Sequence, residues 1–265
     1  MITRKTQLTR LARDAGLDPA RLRRSLRGIR PYIANRRELY AQAQRSAGEF
    51  PLTSAYPCLT DRFAAGGVAK GQYFHQDLHV AQQIFAAAPE RHADVGSRVD
   101  GFVAHVAAFR PIDVFDIRPI RSGARNVAFI QRDITEPDAR YDGYCDSLSC
   151  LHALEHFGLG RYGDRVDYYG YRKGWDNLCR MLRPGGTFYF SVPISRRQRI
   201  EFDAHRVFSV PYVVEDLAAG VFDVGAFAYV DDRGRLHRDV DVADKAARKS
   251  FGLTYGCGIF TLVRR

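Results

Sequence analysis

Several things are missing from this sequence, and each absence excludes something. No uncharged apolar run approaches the roughly 18 residues of a spanning helix, and the opening "MITRKTQLTRLARDAG" has no apolar core of signal-peptide length. A cytoplasmic chain is expected. The five cysteines, Cys58, Cys145, Cys150, Cys179 and Cys257, form neither a CxxC pair nor an even framework, as suits a reduced compartment rather than a disulfide scaffold. Internal repeats, low-complexity tracts and Ser/Gly linkers are also lacking, so one compact domain is expected past the N-terminal region.

With 46% hydrophobic and 12% aromatic residues, 265 residues can bury a large core without staples. The net charge of +10 is unevenly spread. Residues 1–50 carry twelve Lys/Arg against four Asp/Glu, so +8 of it lies there. "DPARLRRSLRGIRPYIANRRELY" reads as a helix capped by Asp18, with Pro19 in its first turn and Leu22, Leu26, Ile29 and Ile33 on one face. That face packs on the chain's own domain or a sister subunit, making a homo-oligomer, or the helix docks on an anionic membrane surface or a lipid-linked glycan. Nucleic acid is disfavoured, because no stacking aromatics are interleaved with the arginines. In "GQYFHQDLHVAQQIFAAAPE", Leu78, Ala81, Ile84, Phe85 and Ala88 share a helical face before Pro89, which predicts a covering or lid helix within residues 51–89.

From residue 90 short apolar strands alternate with helices: "RHADVG", "IDVFDI" ending near Asp116, "NVAFIQRDI" ending at Asp133, "DSLSC", "TFYFSVP", "GAFAYV" and "GIFTLVRR". Seven strands in this order predict a doubly wound, mostly parallel α/β sheet over residues 90–265, with ligands at the C-terminal strand ends. "LHALEHFGLGRYGD" follows the fourth strand, and its continuation is expected to be helical. His152, Glu155 and His156 there form H-x-x-E-H, one zinc-protease pattern. Two histidines four apart on a helix permit a metal, but no third ligand at protease spacing follows, so none is expected.

Asp94-Val95-Gly96, Asp116, Asp133, "CDSLSCLHALEH" and "MLRPGGTFYFSVP", in this order, resemble the class I S-adenosylmethionine (SAM)-dependent methyltransferases. "DVGSRVDGF" and "LHALEHFGLGRYGD" are similar to signatures of an uncharacterised subgroup of that superfamily. The resemblance implies a Rossmann-like methyltransferase fold, SAM as cofactor and methyl transfer to a small anionic acceptor, such as a sugar or nucleotide-linked sugar of surface-glycan assembly. Two alternatives stand beside it. The fold has lost methyl transfer and serves as a nucleotide-binding or scaffold module, or it performs other chemistry on a nucleotide sugar.

The implied cofactor residues are Asp94, Gly96, Ser97 and Arg98 in the first loop, Asp116 and Ile117 at the ribose, Asp133 and Ile134 at the adenine, and Ser149. Taken alone, an Asp after a strand is as well a helix cap or turn residue. The superfamily's D-x-G-x-G-x-G reads Asp94-Val95-Gly96-Ser97-Arg98-Val99-Asp100 here, so Arg98 and Asp100 replace glycines. Arg98 then either reaches the cofactor carboxylate or fills the pocket. His152 is the first candidate base, with Glu155 and His156 beside it, and His205 in "AHRVF" is the second. Arg118, Arg161 and Arg206 on loops after strands, with Tyr162 and His75, are the candidate acceptor contacts, and Asp164 is expected to fix Arg161.

Overall fold

The computed structural model describes residues 12, 16–46, 50–121 and 123–265. The opening stretch tested for a signal peptide lies outside these apart from Ala12 and Gly16. The chain divides after Val68 into two units. The covering helix expected within residues 51–89 falls in the second unit, with the sheet.

The first unit is built on α1 (Pro19–Ala43), and the Asp18 carboxylate caps it by accepting from the backbone N–H of Ala20 at 2.9 Å and Arg21 at 3.0 Å. Gly28, buried, permits the segment around Leu59 to lie against α1, since a Cβ there would sit 1.9 Å from the Leu59 carbonyl oxygen. Among the described residues no helix is long and apolar enough to cross a membrane.

In the second unit come α2 (Gln72–Ala87), β1 (His92–Val95), a π turn (Val99–Val103) that continues into α3 (Ala104–Ala107), then β2 (Ile112–Asp116), β3 (Val127–Gln131) and β4 (Cys145–Leu151). They are followed by α4 (Gly170–Met181), β5 (Leu182–Ile194), a hairpin of β6 (Arg199–Glu201) and β7 (His205–Val207), β8 (Phe222–Val230), β9 (Leu236–His237) and β10 (Gly256–Arg264). The main sheet has the order β3-β2-β1-β4-β5-β10-β8-β9. The strands β1 to β5 run parallel, whereas β10 is antiparallel to both β5 and β8. All seven expected strands are present, and β9 adds an eighth at the edge. The chain reverses direction between β3 and β4, placing a switch point at the C-terminal ends of β1 and β4.

Alternation along the strands builds two cores. Ile112 and Val114 of β2 and Tyr189 of β5 pack under α2 and α3 with Val80, Ile84 and Phe102. Phe115, Phe188 and Phe190 point to the other face, against Trp175 and Leu178 of α4. The burial of α2 corrects its expected face. Gln76, Asp77, Val80, Ala81 and Ile84 are buried, whereas Leu78 is 36% and Phe85 67% exposed. Rotation of the helix by about one residue puts two polar side chains inside, and they are retained because both find partners. Asp77 lies within the helix and is buried, and Gly71 precedes the first turn. "LHALEH" is corrected too: it forms only a 3₁₀ turn, Leu154–His156.

Gly174 lets α4 close on that turn, since a Cβ there would meet Phe157 Cδ2 at 2.4 Å and Leu154 Cδ1 at 3.5 Å. Helix propensity alone would make Gly174→Ala stabilising by about 1 kcal/mol. The clash decides the opposite sign, so urea unfolding of Gly174→Ala is expected to show a loss of about 1–3 kcal/mol.

Candidate active site at the C-terminal strand ends

A cleft of about 280 Å³ opens at the switch point, with a floor made by Val95, Gly96, Phe115 and Leu151. Small-molecule sites run from about 300 to 1,000 Å³, so this is a small but ligand-sized hollow. Its shape depends on how the loop after β1 is tied down. The Asp94 carboxylate, fully buried, accepts from Ser97 N–H at 3.0 Å, Ser97 Oγ at 2.6 Å and Ser149 Oγ at 2.5 Å. Ser97 Oγ in turn accepts from Leu151 N–H at 3.2 Å. Burial pushes the Asp94 pKa up to about 6 against these hydrogen bonds. Asp94, Ser97 and Ser149 therefore serve as a clamp between β1 and β4 beneath the cleft. None of the three lines the cleft itself. Gly96, at φ +73°, is required by both its backbone and its neighbour: a Cβ would lie 2.8 Å from Ala153 Cβ.

The two residues that replace glycines deal with each other. Arg98 Nε and Nη2 donate to Asp100 at 3.2 and 2.9 Å, and the Arg98 side chain, 59% exposed, stays at the rim with its guanidinium carbon 5.6 Å from the Tyr73 ring. The hollow is not plugged.

Asp116 ends β2 on the cleft wall and is 5% exposed. Both of its oxygens are engaged: Oδ1 accepts from Arg118 N–H at 2.8 Å and Nε at 3.0 Å, and Oδ2 from Nη2 at 2.7 Å. The Arg118 guanidinium also lies 4.4 Å over the Tyr162 ring, linking the β2 end to the loop after β4. Ile117, Asp133 and Ile134 continue the wall, and Asp133 Oδ1 is bound by Thr135 N–H at 2.8 Å and Oγ1 at 2.7 Å.

On the opposite side β4 is followed directly by His152, which adopts φ +51°. A left-handed conformation is costly for a non-glycine residue and persists only when its surroundings fix it. Here the His152 N–H donates to the Ser191 carbonyl at 3.0 Å and Oγ at 3.1 Å, and Ser191 Oγ donates to Gln76 Oε1 at 2.6 Å. The buried Gln76 of α2 thus supports the turn through β5, and its amide donates to Asp77 Oδ1 at 2.9 Å.

His152 Nδ1 lies 2.8 Å from Glu155 Oε1, and both side chains are almost fully buried. His152 Nε2 and Glu155 Oε2 have no hydrogen-bond partner among the described atoms. Burial disfavours the His152 imidazolium, but Cys257 and Glu155 favour it more, so its pKa stands well above 6.5. Cys257 Sγ is directed at Gln76 Oε1, 3.6 Å away, and at the Gly258 carbonyl, so the contact that carries the upward direction is the one to Glu155. Burial pushes Glu155 up, and His152 outweighs it to hold the carboxyl below its ordinary value. His156 Nδ1 donates to the Ala204 carbonyl at 2.7 Å, which fixes its tautomer, and its Nε2 is 3.9 Å from Glu155 Oε1. His205 completes the group, with ring centroids 6.3 Å from His156 and 5.3 Å from Tyr255. All four candidate catalytic residues therefore converge, although only His152 and His156 line the cleft. Among the described residues no group of three His, Cys, Asp or Glu side chains is arranged to hold a metal ion.

The candidate acceptor contacts fare unevenly. Arg118 and Tyr162 line the cleft; His75, Arg161 and Arg206 do not. Arg206 is 6% exposed and ties β7 to the carbonyls of Phe157 at 2.6 Å and Tyr168 at 3.0 Å, away from this cleft. Arg161 donates to the Ala204 carbonyl at 2.8 Å. Asp164 does not fix Arg161; its carboxylate gathers the N–H groups of Gly158, Gly160 and Tyr162 at 2.8 to 3.2 Å. Tyr73, whose ring lies 5.2 Å from His152, and the supports Gln76 and Ser191 were not identified from sequence as site residues by role. Their pairing across 115 positions leaves no local signal.

A protein family described as "Caenorhabditis protein of unknown function, DUF268" matches residues 114–227. No curated protein matches the chain. Among solved structures the chain is similar to Burkholderia thailandensis 1,6-didemethyltoxoflavin-N1-methyltransferase bound to 1,6-didemethyltoxoflavin and S-adenosylhomocysteine, at 19% identity and TM-score 0.49 over 71% of this chain and 78% of that one. It is also similar to the N-methyltransferase NodS of Bradyrhizobium japonicum with S-adenosylhomocysteine (12%, TM-score 0.47, 73% and 88% covered). A third similar structure is the [4+2]-cyclase SpnF (16%, TM-score 0.49, 81% and 84% covered).

Two outcomes follow from the titrating groups. A carboxyl whose pKa rises on folding holds its proton more tightly when native, so Asp94 contributes stability at pH 4 that is lost as pH rises to 6. A shift from 3.8 to about 6 corresponds to about 3 kcal/mol. Urea unfolding at pH 4 and pH 6, which spans about two-thirds of that shift, should give Asp94→Asn a change with pH more positive than wild type by about 2 kcal/mol. Histidine-labelled NMR should find His152 titrating above pH 6.5, and in Glu155→Gln at lower pH; an unchanged midpoint would show that Glu155 is not the group holding the proton on.

Proposed function

We propose that the protein is a SAM-dependent methyltransferase. The observation that supports this most directly is the pairing, across one cleft, of a buried carboxylate at the end of β2 with a buried histidine at the end of β4 whose Nε2 is unpartnered. Asp116 is positioned to accept hydroxyl hydrogens of a nucleoside ribose, with Ile117, Asp133 and Ile134 beside the base, and Gly96 and the loop below Arg98 against the amino-acid end. When bound, SAM supplies a methyl group on a sulfonium. The protein's part is to hold the acceptor in line and take its proton. His152 Nε2 accepts that proton, while Glu155 fixes the ring through Nδ1 and stabilises the imidazolium. Deprotonated His152 is the competent form, so the rate rises with pH through a pKa above 6.5. His156 and His205 pack behind as positioning residues.

For the acceptor we favour a hydroxyl of a small anionic molecule, such as a sugar or nucleotide-linked sugar used in surface-glycan assembly. Arg98 and Arg118 support this class: both border the cleft, both are half-exposed, and neither Nη1 makes a hydrogen bond among the described residues. Planar guanidinium donors suit phosphate and carboxylate groups.

A second reading, in which the fold is retained without methyl transfer, is favoured by the Asp116–Arg118 contact. A carboxylate has about four acceptor positions, and Arg118 takes three of them at Asp116. Ribose can be gripped by both oxygens only if Arg118 withdraws. Titration calorimetry with SAM and S-adenosylhomocysteine separates the readings. Binding by the wild type, at least tenfold weaker in Asp116→Ala and preserved or tightened in Arg118→Met, is the expected result. No heat in the folded wild type and in Arg118→Met would establish the second reading.

A further inference from the structure

We propose that α1 docks in the plane of an anionic phospholipid surface. Leu22, Leu26, Ile29, Ile33 and Tyr40 recur along this 25-residue helix at spacings of four, three, four and seven. At 3.6 residues per turn they fall within about 60° of arc, a single stripe some 27 Å long. All five are exposed, from 62% at Leu22 to 41% at Ile29. The four aliphatic residues of the stripe stand clear of the face through which the helix packs inside its own unit, where Gly28, Pro31 and Tyr32 adjoin the segment around Leu59, and Tyr40 at the end of the stripe also borders that groove.

The borders of the stripe identify the occupant. Arg23, Arg30 and Arg37 lie beside it on one flank and Arg36 on the other, and all four are exposed. Within α1 the sole acidic residue is Glu38. A second copy of the helix would bring like charges together along its flanks, with no opposite charges to pair them. A nucleic acid would answer the arginines but leave four aliphatic side chains without a use, since bases stack on rings. A bilayer surface meets both requirements at once: acyl chains receive the leucines and isoleucines, and anionic headgroups receive the guanidinium groups on long stems that reach outward. The concentration of +8 of the net +10 charge in residues 1–50 acts in the same sense.

The test is flotation of the full-length protein with vesicles of phosphatidylcholine alone or mixed with phosphatidylglycerol. Binding to the mixed vesicles, absent with phosphatidylcholine alone and weakened by salt, is expected. The double variant Leu26→Glu/Ile29→Glu should lose about tenfold or more in partitioning, and Arg23→Glu/Arg30→Glu a similar amount. Unaltered melting temperatures in both variants would accord with a stripe free of internal packing. Three results would overturn the proposal: no flotation of the wild type, equal flotation of the variants, or conversion by Leu26→Glu/Ile29→Glu of a wild-type dimer into monomers.

Discussion

The cleft exists because one buried carboxylate holds two strand ends together. Asp94 gathers two serine hydroxyls and a backbone N–H, and one of those serines passes the connection on to β4 at Leu151. A carboxylate with these donors satisfied is stable in the interior, and a carboxylate without them would not be. The clamp lets the backbone after β1 turn at Gly96 and run along the floor of the cleft instead of across it. Everything that faces a ligand, from Asp116 on one wall to His152 on the other, is measured from that turn.

The second wall shows how polar groups in a core are tolerated when they form a continuous series. Asp77, Gln76 and Ser191 lead from a helix through a strand to the His152 backbone, and Glu155 then holds the ring. Three buried polar atoms at the end of this series, His152 Nε2, Glu155 Oε2 and His205 Nε2, have no hydrogen-bond partner among the described residues, although His205 Nε2 lies 3.5 Å from Glu201 Oε2. Their number in one place separates this region from the Asp94 clamp, where both carboxylate oxygens are hydrogen-bonded. One network is closed on itself; the other keeps polar atoms without hydrogen-bond partners.

The strands were legible in the sequence because burial on both faces imposes runs of Val, Ile and Phe that need no tertiary information to recognise. The acidic residues at strand ends were legible for the same reason, as their positions follow from strand length. Residues whose roles depend on distant partners were not. Arg206 has the same loop context as Arg118, yet one is an internal strut and the other lines the cleft, and only packing of β7 against the 155–168 segment decides between them. The inward face of α2 was misread because Gln76 and Asp77 are polar, and a hydrophobic stripe is a poor guide where the interior contains hydrogen-bond partners.

The reversed strand has a consequence for how the molecule is made. β10 lies between β5 and β8 and hydrogen-bonds to both, although it is the last strand in the chain. During synthesis β8 has therefore been produced long before its place in the sheet exists, and the β5 edge stands open for about sixty residues of translation. A chain interrupted near Leu253 would present two unpaired strand edges, one on β5 and one on β8, so the sheet closes only when β10 slides in between them.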